Sequence, residues 1–554
     1  MKTAELHGII APSSLLSRVV GEVPFSERWA VDMVNHTRTD GNLAALLCAL
    51  SFATGLGFGG QMEHGLGSAS LGLQIADALT LADEEFEAIF YGALLKDVAC
   101  TACSAGIAAF LPDEEQVSLS DVILLDPSRI SELVGWLSKY LRLDAHFPTR
   151  IAKLLSFVVQ CGPVVKESMR SHCEVAELFA RQLGFPDTVQ QTLRFQWERW
   201  DGKGMAYGLK GSDIPRSARI LHLAQVLDLT YRLGGAEAAE TFAQEKRGSR
   251  FDPEGVDVFL SLAQQTDFWA AFDERSTQEA LLARRPRTAA DRFQEHQTER
   301  VCEVLADFVD LKTRETWHHS RTVAEIAGRI GACLRLDTGE LRKLRCAALV
   351  HDVGKVTVPF PILAKGDQRS LSEWETYRLH PYYTQRILER VEALQDLAPA
   401  AAAHHEWMNG QGYHRQLRGV QIPLHGRILA VANTYARLLQ QQEDHKDSTS
   451  VLRQMRSQVG SQFDGVCYDA LVTAVTGASD LTSVPLRSRK VGNLTEREVE
   501  VLSLLAQGDK CPQIARKLDI SRKTVEHHLA HIYDKIGVTC QTAAVVYAVQ
   551  QGLV

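Results

Sequence analysis

His351-Asp352-Val353-Gly354-Lys355 is the run on which the reading of this 554-residue chain turns. Upstream of it stands Glu315-x-x-x-His319. Downstream come His380-Pro381, His404-His405-Glu406 and Gly410-Gln411-Gly412-Tyr413. Adjacent His and Asp cannot both face inward from one regular helical turn, so the pair belongs at a helix end, where both can point at an ion. Neutral imidazole together with carboxylate suits Fe, Mn or Zn. Nine of the 19 histidines fall between His318 and His445, about twice an even spread. The ordered set, rather than any single His, indicates a metal site.

The segment from about Glu315 to Phe463 resembles the HD-GYP branch of the HD phosphohydrolases. These are all-helical proteins, and their active members hydrolyse cyclic di-GMP at a two- or three-metal centre. The resemblance implies metal ligands at Glu315, His319, His351, Asp352, His380, His404 and His405. It implies two divalent ions, Fe or Mn ahead of Zn, and catalytic roles for Asp352 and Lys355. Lys355 stands at a phosphate-contacting position, and Gly410, Gly412 and Tyr413 lie in the substrate loop that names the family.

The departures are as informative. Where the family has a late Asp ligand, this chain has Asn433, which still offers a carbonyl oxygen but removes one negative charge from the cation cluster. The Pro of the Gly-Tyr-Pro loop is His414, and the acidic position three residues beyond Asn433 is Ala436. Gln440-Gln441-Gln442-Glu443 replaces an Arg-Pro-Tyr stretch that carries a phosphate-binding arginine. The expectation is a metal site that assembles beneath an altered substrate clamp.

The same plan occurs twice. His64 to Asp97 spans 33 residues, as does His319 to Asp352; His172 to Glu198 spans 26, as does His380 to Glu406. Gly202-Lys203-Gly204, Ile214-Pro215 and Arg219-Ile220-Leu221 then lie over Gly410-Gln411-Gly412, Ile422-Pro423 and Arg427-Ile428-Leu429 at one constant offset. A repeat of this length is a domain of its own rather than one turn of a solenoid. The first copy has lost its chemistry: Lys96 replaces the His before Asp97, Gln196-Trp197 replaces the tandem His pair, and Gln225 stands at the late Asp position. It also holds 47 more residues between Asp97 and His172 than the second copy has between Asp352 and His380. A kept fold with an emptied site is expected, for sensing, dimerisation or support.

The last 60 residues change character. Thr495 with Glu498 makes a capping box. Pro512 suits a helix's first turn, and Ser521 caps a further helix with Val525, Leu529 and Ile532 at helical spacing. Two short helices joined by Asp519-Ile520-Ser521 form a helix-turn-helix, whose second helix enters the DNA major groove. This stretch resembles the LuxR/FixJ-type DNA-binding domain through Leu494-Thr495-Glu496-Arg497-Glu498, Ile514-Ala515-Arg516-Lys517-Leu518 and Ile520-Ser521-Arg522-Lys523-Thr524-Val525. The resemblance implies a fourth helix at about Thr542 to Gln551, of a kind that mediates dimerisation. From Arg487 onward the net charge is +3, within a chain of net charge −8. Arg522, Lys523 and Lys535 are candidate phosphate contacts, and Thr524, Glu526, His527 and Ala530 are candidate groove-facing residues.

Composition bounds the rest. With 45% hydrophobic and 23% charged residues, the chain reads as soluble and globular. Eleven Cys without disulfide-like spacing indicate a reducing cytoplasm. Cys100-Thr101-Ala102-Cys103, a lone CxxC in apolar surroundings, reads as buried thiols. The uncharged run Asn42 to Met62 is long enough to raise a membrane span, but its Ser, Thr and four Gly favour a buried helix with a glycine-rich end. The expected architecture is all-α: an emptied HD-type domain over 1–270, a connection over 271–300 and an HD-GYP-like metal domain over 301–477. A linker over 478–492 and a four-helix DNA-binding domain over 493–554 complete it. The expected partners are DNA, a phosphorylated small molecule or nucleotide (a cyclic dinucleotide by the resemblance) and a second copy of the chain, with no membrane. The expected role is a transcription regulator that senses the small molecule through its HD domains. The alternative is an active cyclic di-GMP phosphodiesterase with a DNA-binding tail.

Overall fold

The computed structural model describes residues 43–57, 63–99, 124, 166–204, 206–265, 268–269, 274–286, 295–313, 316–441, 447–477, 493–551 and 553, all within the unit Gly41–Val554. Glu315, Gln442, Glu443, the Cys100–Cys103 motif, most of the insertion after Asp97 and the segment 478–492 lie outside them. Among the described residues there is no β-strand, only two isolated backbone bridges, Arg247–Phe251 and Val459–Phe463. The protein is all-α, as the sequence implies.

The uncharged run near residue 50 forms α1 (Leu43–Gly57), a core helix with Leu43, Leu47, Leu50 and Phe52 buried. No helix of the described residues is long and apolar enough to cross a membrane. α2 (His64–Ala78) and α3 (Asp83–Leu95) pack on α1 and on the long α6 (Arg216–Lys246), with α4 (166–182), α5 (Asp187–Arg194) and α7 (Pro253–Ala263) completing the first copy. The second copy repeats this with α8 (Glu295–Asp310), α9 (His319–Cys333), α10 (Thr338–Val350), α11 (Leu371–Arg378), α12 (His380–Leu388), α13 (Ala398–Ala401), α14 (Leu424–Gln440) and α15 (Gly465–Thr476). α9 packs between α10 and α14 and so carries its first residue, His319, to where α10 ends.

The repeat is visible bond by bond. Arg219 donates to the Ile214 carbonyl and pairs with Asp252; Arg427 donates to the Ile422 carbonyl and pairs with Asp464 at 2.7 Å. The N–H groups of Trp200 and Asp201 donate to Arg250 and Ser249, and those of Met408 and Asn409 to Gln462 and Ser461. Glu198 and Glu406 are both buried and both accept backbone N–H groups from the loop that follows them.

The C-terminal piece is four helices: α16 (Glu496–Ala506), α17 (Cys511–Lys517), α18 (Arg522–Ile536) and α19 (Gln541–Gln550). Thr495 and Glu498 form the reciprocal capping box, and the Ser521 hydroxyl accepts the Thr524 N–H at 3.0 Å. Glu498 is buried and also accepts from Lys535 at 2.7 Å, which ties α16 to the end of α18. Burial works against its charge, but the Lys535 ammonium and the Thr495 N–H hold the carboxyl down at about 2. A depressed carboxyl contributes stability above its unfolded value of about 4.5 and loses it as pH falls toward the folded value. Glu498→Gln is therefore expected to destabilise this piece at pH 7 by about 1–2 kcal/mol. In urea titrations of the two proteins, that gap should narrow as pH drops below about 4.5; a gap constant down to acid pH contradicts the assignment.

Candidate metal centre

α10 ends at Val350, and His351 and Asp352 occupy its end before a tight 3-10 turn, Val353–Thr357. The dipeptide points inward because the helix stops there. Asp352 is fully buried, and its two oxygens face two histidine sets. Oδ2 lies 3.2 Å from His351 Nε2 and 3.7 Å from His319 Nε2; Oδ1 lies 3.4 Å from His380 Nε2 and 3.5 Å from His404 Nε2. His380 and His404 are 3.2 Å apart through their Nε2 atoms. Two atoms that each sit about 2.1 Å from one ion lie roughly 3–3.5 Å apart in tetrahedral geometry, so these spacings suit bound ions. His319, His351 and Asp352 form one triad that could hold an ion; His380, His404 and His405 form another.

The backbone sets the tautomers. His351, His380 and His404 each donate Nδ1–H to the carbonyl three residues back, on Ala348, Tyr377 and Ala401, at 2.7, 2.7 and 2.6 Å. Each Nε2 lone pair is thereby turned inward, the usual arrangement behind a metal-binding histidine. Burial pushes His319 down to about 4 and His404 to about 3, and pushes His405 well below the ordinary imidazole value. They are neutral at pH 7, as ligation requires. Burial opposes the Asp352 charge, but the Lys355 ammonium bonded to it helps hold its carboxyl well below the usual range. His351 Nε2, Asp352 Oδ1 and His405 Nε2 are buried with no hydrogen-bond partner. Inward-facing, unpaired acceptors of this kind fit a divalent cation.

Asn433 comes to the same place: its Oδ1 is 2.8 Å from His319 Nε2, while His319 Nδ1 meets Gln440 Oε1 at 3.2 Å. The glutamine run that displaces the expected arginine thus orients a candidate ligand. Lys355 is buried and its ammonium bonds Asp352 Oδ2. Tyr413 stacks on His405 at 4.6 Å between ring centres. Gly410 adopts a left-handed φ of 81°, and a side chain on Gly412 would meet the His405 carbonyl and the Trp407 nitrogen at 2.5 Å. Both glycines shape the loop that presents Tyr413.

Two residues escaped the sequence reading. Arg378 holds its guanidinium 5.7 Å from the Tyr413 ring centre, two residues before His380, and is a candidate to take the place of the missing one. Asp310, a buried carboxylate at the end of α8, accepts both the N–H and the hydroxyl of Ser320 at 2.8 Å and pins the start of α9 beside His319. Neither falls at a spacing that marks it. Gly354 matters for packing: an added Cβ would lie 2.0 Å from the His380 carbonyl oxygen and 2.6 Å from the Thr384 nitrogen. Gly354→Ala is expected to separate the 353–357 turn from α12, costing about 2–3 kcal/mol. Thermal unfolding and metal content should fall together; unchanged values of both contradict this packing argument.

Residues 144–255 and 303–466 match the HD domain, and residues 492–548 match the bacterial regulatory proteins of the luxR family. The chain is a tandem HD-domain protein with a C-terminal LuxR-type DNA-binding domain. This tandem HD protein is 27% identical over 452 residues to the 3'3'-cGAMP-specific phosphodiesterase 3 of Vibrio cholerae, covering 81% of this chain and 98% of that one. It is 29% identical over 176 residues to a cyclic di-GMP phosphodiesterase of Thermotoga maritima, covering 31% of this chain and 48% of that one. The crystal structure of a cyclic GMP-AMP specific phosphodiesterase of V. cholerae superposes with a TM-score of 0.54 at 25% identity, over 78% of this chain and 97% of that one.

In the first HD domain the equivalent centre is filled from within. Lys96, in the place of His351, is fully buried and pairs with Asp97. His64 keeps a ligand-like posture, its Nδ1 bonded to Asp228 at 2.7 Å, but Gln196 and Trp197 stand where the second domain has its adjacent His pair, and Gln225 donates to the Gln196 carbonyl at 3.2 Å. An ammonium neutralises the carboxylate where the second domain presents its imidazoles. In the LuxR-type domain, Arg522, Lys523, Glu526, His527 and Ala530 recur at the spacing of one helical face, and all five, with Thr524, are exposed. Lys535 stands apart from that face, bonded to Glu498.

Proposed function

We propose that this protein is a cytoplasmic, dimeric transcription regulator whose second HD domain binds a cyclic dinucleotide at a two-metal centre and passes that occupancy to its DNA-binding domain. The observation that carries the reading is the placement of Asp352, one carboxylate serving two sets of inward-turned imidazoles. His319, His351, Asp352 and Asn433 would hold one ion, and His380, His404 and His405 the other, with Fe or Mn favoured. Bound divalent ions supply charge neutralisation at a phosphodiester and a water of lowered pKa. Lys355 and Arg378 then take further phosphate oxygens, and Tyr413 walls the pocket. A LuxR-type domain makes DNA the output, and DNA places the protein in the cytoplasm.

Turnover is the second reading, favoured by relatives that are themselves named as cyclic dinucleotide phosphodiesterases. Against it stand Asn433, which lowers the charge that holds a second ion, and the glutamines in place of the clamp arginine. One experiment separates them. Metal-loaded protein is incubated with 3',3'-cGAMP and with cyclic di-GMP; linear products are followed by chromatography, and duplex DNA binding by mobility shift. A ligand-dependent change in DNA affinity without product supports the receptor. Product formation that vanishes in Asp352→Ala supports the enzyme. Metal-free protein indifferent to both ligands overturns the reading.

A further inference from the structure

We infer that helix α4 of the first HD domain is the docking surface for the DNA-binding domain, and that the emptied domain serves as the joint between metal centre and DNA. This does not depend on whether the second HD domain hydrolyses anything.

α4 meets three neighbours from one turn to the next. His172, on its inner side, is buried against Trp197 beside the Lys96–Asp97 pair. Two residues on, Glu174 is only 1% exposed. Its Oε2 accepts the Thr539 N–H at 2.8 Å, and its Oε1 accepts the Thr539 hydroxyl. The Tyr207 hydroxyl donates to the same Oε1 at 2.9 Å. Tyr207 belongs to the loop after Glu198, which in the second domain borders the metal centre. Ser171 Oγ donates to Cys540 Sγ at 3.1 Å, and Arg181 Nη1 to the Ile536 carbonyl at 3.4 Å. At the far end, Gln182 Nε2 donates to Asp307 Oδ2 at 3.0 Å. Asp307 also holds Arg321, one turn into the helix that begins with His319.

The dock therefore grips the corner between α18 and α19, residues 536–540, and no part of the reading face. Arg522, Lys523, Glu526 and His527 stay exposed while Glu174 holds Thr539. The contact is a mount rather than a mask. Glu174 receives two charge-assisted bonds from Thr539, its N–H and its hydroxyl, and these favour the docked arrangement. The bonded chain from His319's helix through Asp307, Gln182, α4 and Glu174 to Thr539 is the physical route by which a change at the ligands could move the DNA-binding domain.

The test uses the full-length chain. Thr539 is exposed, so Thr539→Glu should leave the DNA-binding domain folded by circular dichroism while setting a second carboxylate against Glu174. The expected result is a larger radius of gyration by small-angle scattering, and alkylation of Cys540, which is 3% exposed, faster by about tenfold. Adding Glu174→Gln, whose amide can donate to the new carboxylate, should restore both. Should Thr539→Glu disturb the fold, Thr539→Ala removes one bond and should shift both readings less, in the same direction. Unchanged scattering and alkylation in the variants overturn the dock. Mn2+ added to the parent should alter Cys540 alkylation and have no effect in Thr539→Glu; no effect in the parent overturns the joint while leaving the dock.

Discussion

Asp352→Asn is expected to lower metal affinity by at least about 100-fold, more than the loss of a supporting outer-shell group. An amide keeps the shape but offers one oxygen and one NH2 in place of two oxygens. Whichever set of imidazoles faces the NH2, His319 and His351 or His380 and His404, then meets a donor where an ion needs an acceptor. The substitution has a second effect that must be separated from the first. Lys355 is buried and bonded to Asp352, so removing the charge leaves an ammonium with less compensation and lowers stability. Asp352→Asn combined with Lys355→Met removes both charges together. Metal content by elemental analysis should be low in both proteins, whereas the fall in unfolding temperature of the metal-free forms should be large only in the single variant. Metal retained by Asp352→Asn at parental levels would remove the bridging role.

Local signals in the chain were sufficient for much of this. Thr495, Glu498, Pro512 and Ser521 act at helix ends within three or four residues of where they sit, and each end lies where the capping chemistry puts it. The helical class and the tandem domain plan were legible for a related reason: the two copies carry the same landmarks at the same spacing, and spacing survives without coordinates. The gathering of His319, His351, Asp352, His380, His404 and Asn433 was legible as a set, because residue types that suit one ion recur in a fixed order. Contacts that join distant segments were not. Lys535 carries a charge that reads as a phosphate contact, yet it is bonded to Glu498, 37 residues away. Gln440 reads as a lost arginine and proves to be the partner of His319. Glu174 and Thr539 are 365 residues apart, and neither has an unusual neighbour in sequence. Such pairs depend on how whole domains pack, which composition and periodicity do not encode.

Lys96→Met should destabilise the first HD domain by about 3–5 kcal/mol. Lys96 is fully buried, its ammonium is bonded to Asp97, and the Asp97 carboxyl is held below its ordinary range, with burial opposing that charge and Lys96 the first of the charges that sustain it. Taking away the ammonium leaves a buried carboxylate facing only the His64 and His172 imidazoles, with no full cation to replace it. The double variant Lys96→Met with Asp97→Asn should recover most of the loss, because a buried pair replaced as a unit costs far less than a pair broken. Lys96→His, which restores the wording of the second domain, should not restore a metal site. His64 and His172 remain, but Gln196, Trp197 and Gln225 stand where the second domain has His404, His405 and Asn433, so the two adjacent imidazoles are missing. The same reasoning predicts a difference between the two domains under chelation. The first carries its own cation and should unfold at the same temperature with or without EDTA, whereas the second should lose stability as its ions are withdrawn. Calorimetry of the full-length protein should then show one transition that moves with EDTA and one that stays. If both move, Lys96 is not the substitute for the ion.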